Sequence, residues 1–130
     1  MTAVSPSVVD ASALAALAFQ ESQAPVVGKR LDGVDLLAPP LLAAEVTNIA
    51  WKKCRRDPAS AELVAGQLGE VLLVPVSLVR VDHIETLQLA LLWGLTVYDA
   101  SYLWVAWSRG VPLVTLDRRL AVVAAEMGLS

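Results

Sequence analysis

Apolar and polar residues follow two different periodicities along this chain. Short apolar runs, each typical of a buried strand, cover residues 7–9, 35–38, 71–76, 95–97 and 113–115. Longer segments have apolar residues at helical spacing, and we predict helices over residues 11–19, 39–56, 81–93, 99–109 and 117–127. Because helices that connect successive strands favour a mainly parallel sheet, the pattern predicts an α/β fold, arranged as a three-layer α/β/α sandwich.

Proline, glycine and short polar residues mark the ends of several predicted elements. Pro39 and Pro40 start the helix that runs to residue 56, because proline is tolerated in a first helical turn. Asp57, which precedes a proline, ends it, and Asp57 or Ser60 is expected to cap a further helix through residue 68. Gly94 ends the helix over residues 81–93. We expect a loose end at residues 1–6 and a short helix and turn within residues 24–35.

The chain is short and apolar. Its 130 residues fit a single domain over residues 1–130, and 56% of them are hydrophobic, so we expect a partner to cover part of the surface. Cys54 is the only cysteine, which excludes an internal disulfide and is typical of a reducing compartment. The N-terminus lacks a secretory signal pattern, and no apolar run is long enough to span a bilayer. We therefore predict a cytoplasmic protein without a membrane segment.

Four short acidic motifs are spaced along the chain: Asp10 in VVDAS, Glu45 in AAEVTN, Asp99 in VYDAS and Asp117 in TLDRR. Taken singly, each aspartate could cap the helix that follows it. Three of the four follow predicted strands, however, and α/β sheets bind ligands beyond the carboxyl ends of their strands. Carboxylates gathered there would repel one another by about 3 kcal/mol per pair at ~5 Å and an effective dielectric of ~20. Oxygen ligands without a cysteine or histidine cluster favour Mg²⁺ or Mn²⁺ as the neutralising cation.

Glu45 differs from the aspartates because it lies inside a predicted helix. It shares a polar stripe with Asn48 and Lys52, within roughly 60° on a helical wheel, while most of the remaining helix surface is apolar. Such a helix is expected to be buried, so its polar stripe must face a partner charge or a polar cavity. One interpretation is a buried pair between Glu45 and an arginine or lysine. The other is a metal-binding Glu45, with Asn48 close by to bind or orient.

Two hydroxyl residues accompany the aspartates. Ser12 follows Asp10 by two positions, and Thr115 precedes Asp117 by two. Such hydroxyls are suited to hydrogen-bond a carboxylate, a coordinated water or a phosphate, and partners of this kind fix the orientation of metal ligands. Serine and threonine are also common at helix starts and strand ends, so each signal is weak alone.

The formal net charge of −3 argues at first against a nucleic-acid partner. The distribution of charge changes this picture, because 10 basic residues face only 9 acidic ones once the four motif carboxylates are subtracted from the total of 13. The basic residues cluster at Lys52, Lys53, Arg55, Arg56 and at Arg118, Arg119. Beside a metal-filled pocket, such clusters could hold a polyanion. The alternative is solvated helix surface, of which the first cluster also complements a helix C-terminus.

The motifs VVDAS, EVTN, YDASYLWVA and TLDRRL, in this order and over nearly the whole length, resemble those of PIN-domain ribonucleases, specifically the VapC-type toxins of type II toxin–antitoxin modules. The resemblance implies a PIN-like α/β/α sandwich in which Asp10, Glu45, Asp99 and Asp117 bind Mg²⁺ or Mn²⁺. It also implies endoribonuclease activity on RNA, a homodimer, and neutralisation by a cognate antitoxin. Ser12, Asn48 and Thr115 would then support the metal or the substrate.

The remaining aromatic, histidine and cysteine residues do not suggest a second kind of site. His83 is far in sequence from every acidic motif and is expected at the surface, which argues against metal-free, histidine-based ribonuclease chemistry. Cys54 is expected to pack against its helix neighbours. The tryptophans of the second half are expected in the core, although Trp104 and Trp107, three apart on one helix, could form a dimer or antitoxin surface.

Other protein classes share parts of the pattern. A phosphatase of the haloacid-dehalogenase type needs a second aspartate two residues after the first, where this chain has Ser12. A receiver domain needs a lysine after its last strand, where Leu116 and Asp117 stand. The alternative from a non-enzymatic class is a partner-binding subunit of a DNA-binding autoregulatory complex, whose carboxylates anchor basic side chains of its partner.

Overall fold

The computed structural model describes residues 5–130, so the predicted loose end at residues 1–6 lies mostly outside the described residues. Strands and helices alternate in the order β1 (Ser7–Val9), α1 (Ala11–Ala18), α2 (Ala24–Leu31), β2 (Leu36–Ala38), α3 (Leu42–Arg56), α4 (Ala61–Val71), β3 (Ser77–Leu78), α5 (His83–Trp93), α6 (Val97–Arg109), β4 (Leu113–Val114) and α7 (Arg118–Glu126). A short 3₁₀ turn, Pro58–Ser60, joins α3 to α4. Neither Asp57 nor Ser60 caps α4 with its side chain, contrary to the prediction.

The strands form one parallel sheet in the order β3-β2-β1-β4. From β1 to β3 the chain extends the sheet in one direction, and β4 is then added on the other side of β1. This reversal brings Val9 into register with Val114, although the two residues are far apart in sequence. In open α/β sheets, ligands bind at such a switch point, beyond the carboxyl ends of the two strands.

Two groups of helices cover the sheet. Helix α1 packs with α2, α3 and α4, whereas α6 packs with α5 and α7 and lies against β1, β2 and β4. The interior contains side chains from both strands and helices, and Val8, Val9, Leu103, Val105 and Leu120 are completely buried. The predicted three-layer α/β/α sandwich is confirmed.

The strand predicted over residues 71–76 is wrong. Val71 is the last residue of α4, and turn hydrogen bonds follow it, from the N–H of Leu73 to Glu70 and from that of Val74 to Val71. The segment that pairs with β2 is β3, at the edge of the sheet. The apolar run fits a strand by composition, but β-preference depends on the neighbours that a segment packs against, and here the preceding helix continues into it.

The strand predicted over residues 95–97 is also wrong. Gly94 ends α5 in the left-handed conformation, as predicted, with φ of 65°. Thr96 is the N-cap of α6, and its side chain accepts a hydrogen bond of 3.1 Å from the N–H of Asp99. Because α6 begins at Val97, the two helices leave no length for a strand between them.

Helices α5 and α6 form a sharply bent pair. Within residues 5–130 no single helix is long and apolar enough to cross a membrane, and these two reach that length only together, at a bend of 109°. His83 is exposed, as predicted. Trp93 and Trp104 pack against the core, whereas Trp107 is 49% exposed.

Candidate metal centre

Asp10 lies at the carboxyl end of β1, next to β4. Its N–H donates to the Val114 carbonyl at 3.2 Å, and its side chain is only 5% exposed. One carboxylate oxygen accepts hydrogen bonds from the N–H of Ala13 at 3.0 Å and from Ser12 Oγ at 2.7 Å. The other accepts from Thr115 Oγ1. Asp10 is therefore the N-cap of α1 and is held by three donors in a buried position.

Ser12 and Thr115 connect the two turns that follow β1 and β4. Their hydroxyl oxygens are 3.5 Å apart. Ser12 Oγ accepts a hydrogen bond of 3.0 Å from the N–H of Leu116, and Thr115 Oγ1 accepts one of 3.0 Å from the N–H of Asp117. The hydrogen bonds to a carboxylate that the sequence suggested for these hydroxyls are present, whereas their role toward a metal or substrate remains a prediction.

Asp117 and Asp99 both lie at helix starts, but only one of them is a cap. Asp117 is the N-cap of α7, and its Oδ1 accepts a hydrogen bond of 2.9 Å from the N–H of Leu120. Asp99 lies within the first turn of α6, where Thr96 provides the cap. The interpretation of Asp99 as a helix cap is thus wrong, because the helix begins earlier than the sequence indicated.

Glu45 reaches the same region from α3. The expectation that this helix is buried on nearly all sides is wrong: α3 buries Leu42, Val46 and Ala50, while Asn48 and Lys52 are exposed. Outside that buried stripe, the apolar residues Ala43, Ala44 and Trp51 are exposed. Glu45 itself is half-buried, and Asn48 lies one turn further along the helix, at the surface.

Tyr102 is the partner of Glu45 that the sequence analysis missed. Its hydroxyl donates to Glu45 Oε1 at 2.6 Å, and its side chain is 1% exposed. The buried ion pair considered for Glu45 is wrong, since Lys53–Glu21, at 3.6 Å, is the one ion pair among the described residues. Tyr102 follows Asp99 by three residues on α6, so helical spacing already placed the two on one face.

The carboxylates of this region influence one another. Burial raises the pKa of Asp10, and the charge of Asp117 adds to the rise, while the hydrogen bonds from Thr115, Ser12 and Ala13 oppose it. Burial also raises the pKa of Glu45. The charges of Asp99 and Asp10 add to this rise, whereas the hydrogen bond from Tyr102 opposes it.

The pKa of Asp99 is raised by the same kinds of cause. Its pKa is raised by burial first and then by the charges of Asp117 and Asp10, while the Thr96 hydrogen bond and the Arg119 charge partly oppose the rise. The pKa of the Tyr102 hydroxyl is raised by burial and by its hydrogen bond to Glu45. Residues distant in sequence therefore share one electrostatic environment that disfavours their negative charge.

The donor atoms of this region suit a hard divalent cation, because they are carboxylate and hydroxyl oxygens. Within residues 5–130, however, no three His, Cys, Asp or Glu side chains are grouped closely enough to hold one ion in their present positions. Asp10 is held by its three donors and Asp117 by its cap hydrogen bond, so we expect Glu45 and Asp99 to be the carboxylates that rotate to form a shared ligand set. The binding of one cation by all four residues remains a prediction.

Comparisons with known proteins give a consistent result. The PIN domain family matches residues 7–126. Ribonuclease VapC3 from Pyrobaculum aerophilum is 37% identical over 119 residues, which cover 88% of this chain and 91% of that protein. Exonuclease VapC9 from the same organism is 38% identical over 112 residues, which cover 86% and 80%.

Two solved structures resemble the fold. PAE2754 from Pyrobaculum aerophilum has a TM-score of 0.73 and 36% sequence identity, and the match covers 92% of this chain and 86% of that one. Mycobacterium tuberculosis VapC20, described as a toxin that cleaves the sarcin–ricin loop, has a TM-score of 0.62 at 19% identity, covering 90% and 94%. At that identity the likeness to VapC20 shows the fold alone.

Proposed function

The chain belongs to the PIN-domain family, and we propose that it is a divalent-metal-dependent endoribonuclease that acts as the toxin of a toxin–antitoxin pair. The resemblance to VapC-type ribonucleases predicted from the motifs is confirmed. One observation supports the proposed chemistry: burial raises the pKa values of Asp10, Glu45 and Asp99, and the charges of other motif carboxylates add to each rise. None of the motif carboxylates forms an ion pair with a lysine or arginine of the described residues.

Asp10, Glu45, Asp99 and Asp117 are the residues that would hold the cation, Mg²⁺ or Mn²⁺. PIN-domain nucleases of the VapC type are generally dependent on divalent metals. When bound, such an ion lowers the pKa of a coordinated water and neutralises charge on a phosphate. In the proposed reaction, Ser12 and Thr115 hold the Asp10 carboxylate in one orientation, and Tyr102 does the same for Glu45. His83, the single histidine of the sequence, is exposed at the start of α5, and the proposed reaction is hydrolysis by a water molecule.

The proposed substrate is single-stranded or looped RNA, cut within the chain. The two Pyrobaculum relatives are named a ribonuclease and an exonuclease, so internal cleavage has to be tested directly. A circular RNA has no ends and is opened only by an endonuclease. We expect the purified protein with Mn²⁺ to open it, and Asp10→Asn or Asp99→Asn to reduce the rate by about a hundredfold or more, since even supporting partners of metal ligands are worth 10–100-fold.

Asp32→Asn is the matched control, because Asp32 is an exposed carboxylate at the end of α2. Equal cleavage by the wild type and both site variants would indicate a contaminating nuclease and overturn the proposal. Cleavage of linear RNA alone would leave an exonuclease. If the protein cleaves neither RNA but binds operator DNA together with its antitoxin, the alternative is favoured, namely a non-catalytic, partner-binding subunit of an autoregulatory complex.

The proposed partners are a cognate antitoxin and a second copy of the chain. Helix α5 presents an apolar face to solvent, on which Ile84, Leu87 and Leu91 are 67%, 47% and 76% exposed. Large exposed apolar patches are typical of protein interfaces, and we propose this face as the homodimer contact. Leu91→Glu should convert the dimer to a monomer in sedimentation equilibrium, and a wild-type monomer would exclude the contact. A cytoplasmic location remains part of the proposal.

A further inference from the structure

The C-terminal half of α3 carries an exposed group of side chains that the nuclease site does not use. It consists of Trp51, Lys52, Arg55 and Arg56, which line one shallow groove and are all exposed. We call it the α3 basic surface. We infer that this surface binds single-stranded RNA next to the four motif carboxylates, Asp10, Glu45, Asp99 and Asp117, which we call the acidic site. An unpaired base would stack on Trp51, and the three cations would contact phosphates. The inference rests on the proposed ribonuclease function and adds a substrate-binding element to it.

Trp51 is the central residue of this surface. It is 52% exposed, although tryptophan is among the residues that gain most from burial. The Arg55 guanidinium lies 5.1 Å from the centre of its ring, one helical turn further along. Unpaired bases stack on exposed aromatic rings and on guanidinium planes, because every base has a flat π surface, and this surface offers both groups.

The cations of this surface are available to a ligand. Lys53, the fourth basic residue of the cluster, is not part of it, since it pairs with Glu21 at 3.6 Å and lies 5.3 Å from the centre of the Phe19 ring. That pair is the one ion pair within the described residues, so Lys52, Arg55 and Arg56 are not neutralised by a carboxylate of residues 5–130. The dipole at the end of α3 accounts for cations there but not for an exposed tryptophan among them.

The position of the surface relative to the acidic site favours RNA over an acidic protein. On an α-helix, Lys52 and Arg56 lie within about 20° of Glu45 around the axis, and about 10 Å and 16 Å further along it. The basic stripe therefore begins on the face that presents Glu45 to the acidic site and leads away from it. A strand whose phosphate lies near the carboxylates can continue along this stripe, where cations offset the repulsion that four carboxylates exert on it.

The test measures RNA binding without cleavage. Anisotropy of a short fluorescein-labelled oligouridine is recorded in an Asp10→Asn background, so that the nuclease reaction does not interfere. We expect Trp51→Ala to weaken binding about tenfold, the size of one lost base stack. The double change Arg55→Gln with Arg56→Gln should lower the slope of log Kd against log salt by about 0.7 for each cation.

Matched controls exist on other helices. Trp107→Ala removes a tryptophan of similar exposure, 49%, from α6, and Lys29→Gln with Arg30→Gln removes two exposed cations from α2. Both controls should change the affinity less than about twofold. An abasic ribose-phosphate oligomer should bind more weakly than oligouridine. Its affinity should be the same for Trp51→Ala and the parent protein, and it should still decrease with salt.

Unchanged oligouridine binding by Trp51→Ala and by the double variant would overturn the inference, and so would a surface that binds polyglutamate as tightly as RNA. These results are separable from the proposed activity. If the wild type opens circular RNA but the surface variants bind normally, the nuclease assignment stands and this surface is excluded. If binding depends on Trp51 but circular RNA stays intact, the surface is retained and the endonuclease assignment fails.

Discussion

The two walls of the acidic site are built differently. The strand wall consists of Asp10, Ser12, Thr115 and Asp117, around the ends of β1 and β4, and the helical wall consists of Glu45, Asp99 and Tyr102, on α3 and α6. On the strand wall, Asp10 is 5% exposed and accepts hydrogen bonds from three groups. On the helical wall, Glu45 is half-buried and accepts one hydrogen bond, from Tyr102.

This difference separates a fixed part of the site from an adjustable one. The strand wall is held by hydrogen bonds that link two sheet turns, so its oxygens are oriented before any ligand arrives. The helical wall carries carboxylates with fewer partners, which can change rotamer at lower cost. Asp10 would hold a cation with oxygens that are already oriented, and Glu45 and Asp99 would join it by a change of rotamer, since no three such ligands are grouped within residues 5–130.

The largest expected effect is on the strand wall. Thr115→Val keeps the shape of the side chain but removes the hydroxyl that donates to Asp10 and accepts from Asp117. We expect a 10–100-fold loss of Mn²⁺ affinity, the usual cost of losing a hydrogen-bond partner of a metal ligand, measured by calorimetric titration with Mn²⁺. Thr47→Val is the control, because the Thr47 hydroxyl donates only to the Ala43 carbonyl of its own helix. Wild-type affinity in Thr115→Val would show that the strand wall is not preorganised by this contact.

A smaller effect is expected on the helical wall. Tyr102→Phe removes the donor to Glu45 but keeps the buried ring, so cleavage should fall about three- to tenfold, which corresponds to the net contribution of about 1 kcal/mol of a typical hydrogen bond. Added Mn²⁺ should recover part of the rate, because Glu45 keeps its carboxylate and loses only its orientation. Tyr98→Phe, on the exposed side of α6 at 60% exposure, is the control. A loss as large as that of Thr115→Val would contradict the proposed difference between the walls.

Asp99 should also affect the stability of the metal-free protein. Because the pKa of Asp99 is raised in the folded protein, its charged form opposes folding at neutral pH. Asp99→Asn should therefore raise the thermal midpoint of the metal-free protein by about 2–4 °C, although it removes activity. Mn²⁺ should raise the midpoint of the wild type more than that of Asp99→Asn, since the ion binds only the folded state. A lower midpoint for Asp99→Asn in EDTA would mean that its carboxylate stabilises the fold.

The smallest effect is the pH dependence of that difference. Folded Asp99 binds a proton more tightly than unfolded Asp99, whose ordinary pKa is 3.8, so its contribution to stability is complete below that value and is lost as the pH rises through the raised folded pKa. The stability advantage of Asp99→Asn over the wild type in EDTA should thus be absent at acidic pH and grow toward neutrality. Urea unfolding at several pH values measures it. An advantage that shrinks as the pH rises would show the opposite shift.

The local sequence pattern predicts much of this molecule. The acidic motifs, the hydroxyls beside two of them, strands β1, β2 and β4 and the approximate extent of most helices follow from periodicity and from residues such as Pro39 and Gly94. These features depend on interactions within a few residues, which the sequence records directly. The apolar runs at residues 71–76 and 95–97 show the limit, because a strand exists only where another strand lies beside it.

Only the tertiary structure determines which of these elements and side chains are in contact. The placement of β4 beside β1 brings Thr115 to Asp10, and the packing of α6 against the sheet brings Tyr102 to Glu45. Both contacts join residues far apart in the chain, so no local spacing predicts them. The exposure of α3 was decided in the same way, since the hydrophobicity of a helix shows that it can be buried, whereas its neighbours determine which faces are.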